Sequence, residues 1–291
     1  MASTDRRELI LALVTELGYA SVESLAERAD VSAATIRRDL DRLTGEGLLS
    51  RTHGGAAASS GGREHPFGAR TSVALPQKRA IGRAAADLVR DGEVVMIAGG
   101  TTMLEVVRQL VGRSSLEIVT HSLRALQATV DAPRIKVFSP GGTLKHQELA
   151  LVGPTTEAAI RTRRAAIAFI GASGFIPGDG ATDHDELEVA VKQAMMSSSA
   201  RRYLVADSRK LGVARPVLIA PLTAFTGIVT DDGIPPDVCR ELRDEGLEVV
   251  VATPTTQLLV GRMDRVDEPV PGADALNGVR TATGPQSPES H

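Results

Sequence analysis

The sequence predicts an α/β protein: an N-terminal winged helix-turn-helix joined to a mostly parallel α/β domain. Three observations carry this. Residues 9–52 hold three short helical stripes followed by a strand and a turn. Beyond residue 77, short β-branched runs alternate with helical segments. A stretch rich in Gly, Ala and Ser separates the two. The 291 residues allow two cores, since domains usually run ~100–200 residues.

In the first segment, Leu9, Ile10, Leu13, Val14 and Leu17 form one apolar stripe, and Gly18 ends it. Ser21 is a good N-cap for a second helix with Leu25 and Ala29 inward. A tight turn at Ala29-Asp30 leads to Ser32, which caps a third helix. Ile36, Leu40 and Leu43 line its inner face at i, i+4, i+7. Gly45 and Gly47 stop it. Leu48–Thr52 reads as a strand, and His53-Gly54-Gly55 as the turn back.

From Gly54 the composition shifts, and Pro66 and Pro76 punctuate a linker. Lys78–Val89 is helical. Glu93–Ala98, Leu116–Thr120, Ile135–Ser139, Ala165–Ile170, Tyr203–Ala206, Ile228–Thr230 and Leu247–Ala252 are short strands with helices between most of them. Repeated βα units imply a parallel sheet covered on both faces. After about Met263 the chain is aperiodic and rich in Pro, Gly, Thr and Ser, the composition of a disordered tail. The expected organisation is residues 1–57 as the winged helix, 58–76 as linker, 77–260 as the large domain and 261–291 as tail.

Composition removes several classes. A hydrophobic fraction of 42% with 24% charged residues is that of a soluble globular protein. No apolar run approaches the ~18–20 residues of a membrane helix, and the first ten residues do not read as a secretory signal. Cys239, the single cysteine, excludes an internal disulfide and fits a reducing cytoplasm. No Cys/His cluster suggests zinc, and neither a metal nor another cofactor is assigned. Charge does not advertise nucleic acid: residues 1–53 carry seven Arg against nine Asp and Glu, a balance of −2. DNA contact must come from the placement of charge.

The third helix supplies that placement. With Ile36, Leu40 and Leu43 inward, Ser32, Thr35, Arg38 and Arg42 face out and Arg37 lies on the flank. Arginines and hydroxyls on such a face bond guanine edges and phosphates in a major groove. Asp39 is read as a positioning residue, able to pair with Arg42 at i, i+3. Arg51 and His53 sit on the wing, where cations meet backbone phosphate. The residues assigned to DNA are Ser21, Ser32, Ala33, Thr35, Arg37, Arg38, Arg42, Arg51 and His53. The plainer alternative is a solvated charged helix; the stripe, the caps and the basic wing together weigh against it.

In the large domain, Gly99-Gly100-Thr101-Thr102 follows a strand and opens a helix, a place suited to an anion. Thr120-His121-Ser122, Gly141-Gly142, Gly171-Ala172-Ser173 and Asp207-Ser208-Arg209-Lys210 also follow strands. Strand C-termini of a parallel sheet line one edge, where ligands bind, so these stretches suggest one shared site with Lys210 supplying charge. His121 is either a ligand donor or pH-sensitive element, or a satisfied loop residue. Asp183 lies just after the turn Gly180-Ala181-Thr182. The acids after it read as N-terminal helix charge. The effector set is thus Gly99, Gly100, Thr101, Thr102, Thr120, His121, Ser122, Gly141, Gly142, Gly171, Ala172, Asp183, Asp207 and Lys210.

Arg6, Ile10, Val14, Ser32 and the string Thr35-Ile36-Arg37-Arg38-Asp39-Leu40, with the exit Arg51-Thr52-His53-Gly54-Gly55-Ala56, resemble the signature of the DeoR family of bacterial transcriptional regulators. The resemblance continues to about residue 255. It implies a sensor domain similar to ribose-5-phosphate isomerase and the coenzyme A transferases, in whose pocket Asp183 would stand as a sugar contact, and effectors that are phosphorylated sugars or related metabolites. Thr101-Thr102, Asp207, Lys210 and Gly141-Gly142 correspond to family motif positions. Two places depart: Ala98 and Gly99 replace the family's acid and Ser, and His121 replaces its Asn.

The rival reading is a sugar-phosphate isomerase with an accessory DNA-binding domain. Such an enzyme needs a carboxylate base. By the same resemblance, its acidic loop corresponds to Gly171-Ala172-Ser173-Gly174, which has no carboxylate, and its base falls near Val191, with Glu188 the nearest substitute. A purely structural oligomeriser would not need Gly-rich loops at several strand ends. The expectation is therefore a cytoplasmic repressor without catalytic residues. It binds double-stranded operator DNA, responds to a phosphorylated sugar and forms a homo-oligomer, dimer or tetramer.

Overall fold

Alternating apolar stripes and capping residues build the N-terminal head as the sequence predicts. The computed structural model describes residues 3–17, 19–46, 48–52, 54–58 and 67–254. The expected stops at Gly18 and Gly47, the wing residue His53 and the tail from 261 lie outside the described residues.

Helix α1 (Ser3–Leu17) leads to strand β1 (Tyr19–Ser21), α2 (Val22–Ala29) and α3 (Ala33–Gly45). Ser21 and Ser32 cap α2 and α3, accepting from the N–H groups of Ser24 and Thr35. Asp30 turns the chain between them in the left-handed region, at φ 52°. Ile10, Val14, Leu25, Ile36 and Leu40 are fully buried together. The wing is β2 (Leu49–Thr52) and β3 (Gly55–Ala58). β1 joins it as a third strand, order β1-β3-β2, which the sequence reading missed because three residues show no period.

The stretch expected as linker departs from that reading at its C-terminal end. Phe67–Thr71 forms a short helix, α4, with Phe67 only 3% exposed, and α5 (Leu75–Asp87) begins one residue before Pro76. Proline in the first helical turn is compatible with a helix start, so it opens α5 instead of ending a linker.

The rest alternates. In order come β4 (Val94–Ile97), α6 (Thr101–Leu110), β5 (Leu116–Thr120), α7 (Leu123–Ala128) and β6 (Ile135–Phe138). Next are β7 (Thr143–Lys145), β8 (Ala150–Val152), α8 (Pro154–Arg161) and β9 (Ala165–Ile170). β10 (Gly174–Ile176), β11 (Gly180–Asp183), α9 (Glu186–Ser197) and β12 (Ser199–Val205) follow. β13 (Val217–Ala220), β14 (Gly227–Asp231), α10 (Pro236–Asp244) and β15 (Glu248–Ala252) complete the domain.

All seven strands read from the sequence of the large domain form one sheet, order β15-β14-β12-β9-β4-β5-β6, every pair parallel. Central strands are covered on both faces, so their sequences are apolar without alternation: Ile167–Ile170 are fully buried. Two antiparallel additions escaped the sequence reading, the β7–β8 hairpin and a small sheet, β10-β11-β13. Their strands are too short for a period to emerge.

Strand order fixes where a ligand can sit. From β4 the chain lays β5 and β6 to one side, then returns to place β9 on the other. That reversal opens a crevice outside the C-terminal ends of β4 and β9. Helices α5, α6 and α9 each precede or follow a parallel strand, so each starts at this same edge.

Candidate functional site

The head presents the face the stripe requires. Arg37, Arg38 and Arg42 are exposed, and Ile36 and Leu40 are fully buried. Arg37 and Arg38 make no ion pair among the described residues. Ser32 Oγ and Thr35 Oγ1 lie 3.0 Å apart at the start of α3, and Ala33 is half-buried there. Ser21 is a cap first, its oxygen accepting from Ser24 N–H at 3.1 Å. Arg51 donates to the Gly55 carbonyl at 3.3 Å and lies 3.2 Å from Asp41.

One pairing is corrected. Asp39 does not meet Arg42. It is 8% exposed and accepts from Arg6 Nε at 2.6 Å, pinning α1 to α3. Arg42 instead pairs with Glu46 at 3.1 Å on the exposed surface. Asp39 lies on the flank of the buried stripe, so α1 reaches it before the solvent-facing Arg42 does.

At the strand edge, Gly99–Thr102 and Gly171–Ala172 come together: a Cβ on Gly171 would stand 3.4 Å from the Gly99 carbonyl oxygen. Gly100 caps α6 at φ 120° with no side-chain cap bond. This leaves the dipole end of a ten-residue helix open toward the crevice.

Several predicted contacts turn out to build the site's walls. His121 is fully buried. Its Nδ1 lies 2.9 Å from the Leu151 carbonyl, so Nδ1 carries the proton, and Nε2 accepts from Gly99 N–H at 2.9 Å. Burial lowers its pKa, Glu188 and the Leu151 bond opposing and Lys192 adding to the fall. The ring is a neutral brace with both nitrogens engaged inside the fold, and not the ligand-donating or pH-sensitive element its sequence position suggests. Gly99 N–H is consequently unavailable to an anion. Thr120 Oγ1 accepts from Ser122 N–H at 3.2 Å, and Ser122 Oγ caps α7; both are buried turn residues. Gly142 is held by packing: at φ 124°, a Cβ there would lie 1.9 Å from Thr156 Oγ1, which itself donates to the Gly141 carbonyl. Asp183 is 3% exposed and paired with Lys192, and accepts from Ser173 Oγ and His184 N–H at 2.8 Å each. Burial works to raise its pKa. The Lys192 charge and these bonds overcome that and hold the carboxyl well below the usual range. It offers no open sugar contact.

A charged cluster replaces them. Asp207 is 2% exposed and accepts from Arg209 Nε at 2.9 Å. Burial pushes its pKa up, but Arg209, Lys210 and Lys78 leave it lowered. Lys78, 4% exposed, donates to the Arg70 carbonyl. Burial pulls its amine down to about 7, against Asp207 and with Arg209, Arg70 and Lys210. Arg70 pairs with Glu148 on the β7–β8 turn. Four basic side chains therefore meet two carboxylates. Sequence reading missed Lys78, although its signal was present: it shares the inward stripe of Ile81, Gly82 and Ala85.

Helix contacts place Lys78 beside the α6 start. A Cβ on Gly82 would touch the Glu105 backbone at 2.7 Å, so α5 and α6 meet there. Lys78 lies one turn above that contact on α5, and Thr101 one turn above it on α6. A separate cleft of about 310 Å³ lies between α1, α3 and the β7–β8 turn, lined among others by Arg7, Leu11, Leu43, Phe67 and His146. It is not at the strand ends.

These features define a helix-turn-helix head carried on a doubly covered α/β domain. The chain belongs to the DeoR family: the DeoR-like helix-turn-helix domain matches residues 6–61 and the DeoR C terminal sensor domain residues 74–232. It is 33% identical to the HTH-type transcriptional repressor CsqR of Escherichia coli over 86% of this chain and 96% of that one. It is 30% identical to the glycerol-3-phosphate regulon repressor of Escherichia coli over 86% and 99%. Among solved structures, ribose 5-phosphate isomerase A of Methanocaldococcus jannaschii aligns with a TM-score of 0.35 and 16% identity, over 46% of this chain and 53% of that one. No helix among the described residues is long and apolar enough to cross a membrane.

Proposed function

We propose that the chain is a repressor of carbohydrate-metabolism genes that binds operator DNA through α3 and the wing and responds to a phosphorylated sugar. What supports the effector half is that Arg70, Arg209 and Lys210 are charged neighbours of Lys78, which lies one turn from the Gly82–Glu105 contact between α5 and α6, toward the uncapped start of α6. A phosphate there meets backbone donors, the hydroxyls of Thr101 and Thr102 and an excess of positive charge. The name of the glycerol-3-phosphate relative supports the same ligand class.

The site is read as one that holds a ligand without transforming it. Val191, near the position where an isomerase would carry its base, is fully buried and apolar, and Gly171–Gly174 carries no carboxylate. The protein is taken to act in the cytoplasm as a homo-oligomer.

A thermal-shift screen of the full chain against sugar phosphates tests the reading, because a ligand of the native state alone raises the melting temperature. Phosphorylated sugars should shift it and their free forms should not. Lys210→Ala and Thr102→Ala should reduce the shift. Equal shifts by phosphorylated and free sugars would contradict the phosphate site, and turnover of any compound would favour the isomerase.

A further inference from the structure

An open sheet leaves unpaired backbone groups on its two outer strands, and proteins shield such edges with charge, proline, bulges or cover. The two edges of the large sheet differ in this. On β6, Lys136 is exposed and pairs with Glu117, and the Arg163 guanidinium lies 3.8 Å over the Phe138 ring. On β15, Val249, Val250 and Val251 follow one another without charge or proline, and Val251 is 40% exposed. Glu248, the one charge of this strand, stands at its start and accepts from the Tyr203 hydroxyl at 2.6 Å. Among the described residues no strand lies on the outer side of β15.

The ladder to β14 fixes which atoms face out. Glu248 N–H donates to the Thr226 carbonyl, and the Ala252 carbonyl accepts from Asp232 N–H. With the parallel register Ile228↔Val249, residues 248, 250 and 252 therefore bond inward to β14. Val249 and Val251 turn both N–H and C=O to the open edge. Arg243 marks that side, donating to the Val249 carbonyl at 3.4 Å from an exposed position. A carbonyl has two lone pairs, so this oxygen can still accept from another N–H.

Two outward residues flanking Val250 make the edge complementary to itself. Laid antiparallel about a two-fold axis through Val250, β15 sets Val249 opposite Val251 of a second copy on both sides of the axis. Opposed residues of this kind exchange both N–H···O=C bonds, so every outward N–H meets an outward carbonyl. Glu248 falls opposite Ala252, and no like charges meet. A second copy also suits the head, since helix-turn-helix proteins read two-fold operators as two-fold dimers.

We propose that β15 pairs antiparallel with β15 of a second copy about a two-fold axis through Val250, joining the two parallel sheets edge to edge. The inference rests on the homo-oligomer proposed above and gives it a surface and an axis.

The test is sedimentation of the full chain and its variants, with cysteine cross-linking. Val251→Pro removes an N–H that β14 does not use, so the intrachain ladder stays whole while the pairing is broken. Val251→Lys puts a charge into the valine ladder and leaves the backbone unchanged. Both should halve the mass of the wild-type assembly, with unchanged far-ultraviolet circular dichroism. Val250→Cys should form a disulfide with its own copy on mild oxidation, because directly opposed Cβ atoms stand about 4.5–5.5 Å apart. The native cysteine, Cys239, is buried and should not compete. Val249→Cys is offset by two positions from its own copy and should cross-link at least about tenfold more slowly. Unchanged mass in both Val251 variants would overturn the pairing and leave the homo-oligomer standing; a lowered melting temperature in those variants would then give the edge to another segment of the same chain. Equal cross-linking of Val249→Cys and Val250→Cys would also overturn it, by removing the axis. A wild type that is monomeric at every concentration would overturn the homo-oligomer and this inference together.

Discussion

The Lys78 amine donates to the carbonyl oxygen of Arg70 at 2.6 Å, tying the first turn of α5 to helix α4. Arg70 is at the same time paired with Glu148 on the β7–β8 turn. Charge on Lys78 is therefore read by two neighbouring elements.

Stability should depend on that amine. Its pKa is about 7 in the fold and near 10.5 when unfolded, so between these values the unfolded chain binds the extra proton. Stability then rises with pH across that window, and the cost of the buried cation is fully present below pH 7. Melting curves from pH 6 to 9.5 should show this rise relative to Lys78→Met. Identical slopes for both proteins would show that Lys78 is solvated and unshifted.

Ligand binding should reverse the shift. A phosphate dianion beside Lys78 restores the charged form, so at pH 8 binding takes up close to one proton. Calorimetry in two buffers of different ionisation enthalpy measures this directly. Uptake in wild type and none in Lys78→Met is expected, with affinity falling as pH rises through 7.

On the head, Arg38 and Arg51 should separate base reading from phosphate contact. Arg38→Ala should cost ~1–3 kcal/mol at one base pair and relax specificity there. Arg51→Ala should weaken all sequences alike and flatten the salt dependence. Operator titrations at several salt concentrations distinguish the two. Wild-type binding by both variants at moderate salt would remove the head from DNA recognition.

Gly142 and Gly100 offer a paired test of packing. Both hold positive φ, 124° and 120°, but only Gly142 has neighbours within reach of a Cβ. Gly142→Ala should cost about 2–5 kcal/mol, combining strain with overpacking. Gly100→Ala should cost only the strain, about 1–3 kcal/mol. Urea unfolding of both gives the comparison, and an equal cost would mean that the turn yields freely at Thr156.

Legibility followed period and length. The α3 stripe and the seven parallel strands stand out because apolar residues recur at 3.6 or run unbroken through a covered sheet. Asp39 reads as a positioning residue from its place on α3, yet its partner Arg6 lies 33 positions away, beyond any helical spacing. His121 and Asp183 have polar identities that suit a ligand, and only the fold shows their atoms taken by Leu151, Gly99 and Lys192. Lys78 could have been found as a charge on an inward stripe. Arg70 could not, because a helix of five residues carries too little pattern.

That same helix, α4, is too short to persist in water on its own, where nucleation costs more than so few bonds return. It stands because it touches α1 on one side and α6 on the other, with Phe67 N–H bonded to the Gln147 carbonyl at 3.0 Å. A piece of backbone that owes its order to both the reading head and the sensing domain is shared property of two equilibria. If a ligand at Lys78 changes the affinity of the head for operator DNA by some factor, the DNA must change the affinity for that ligand by the same factor.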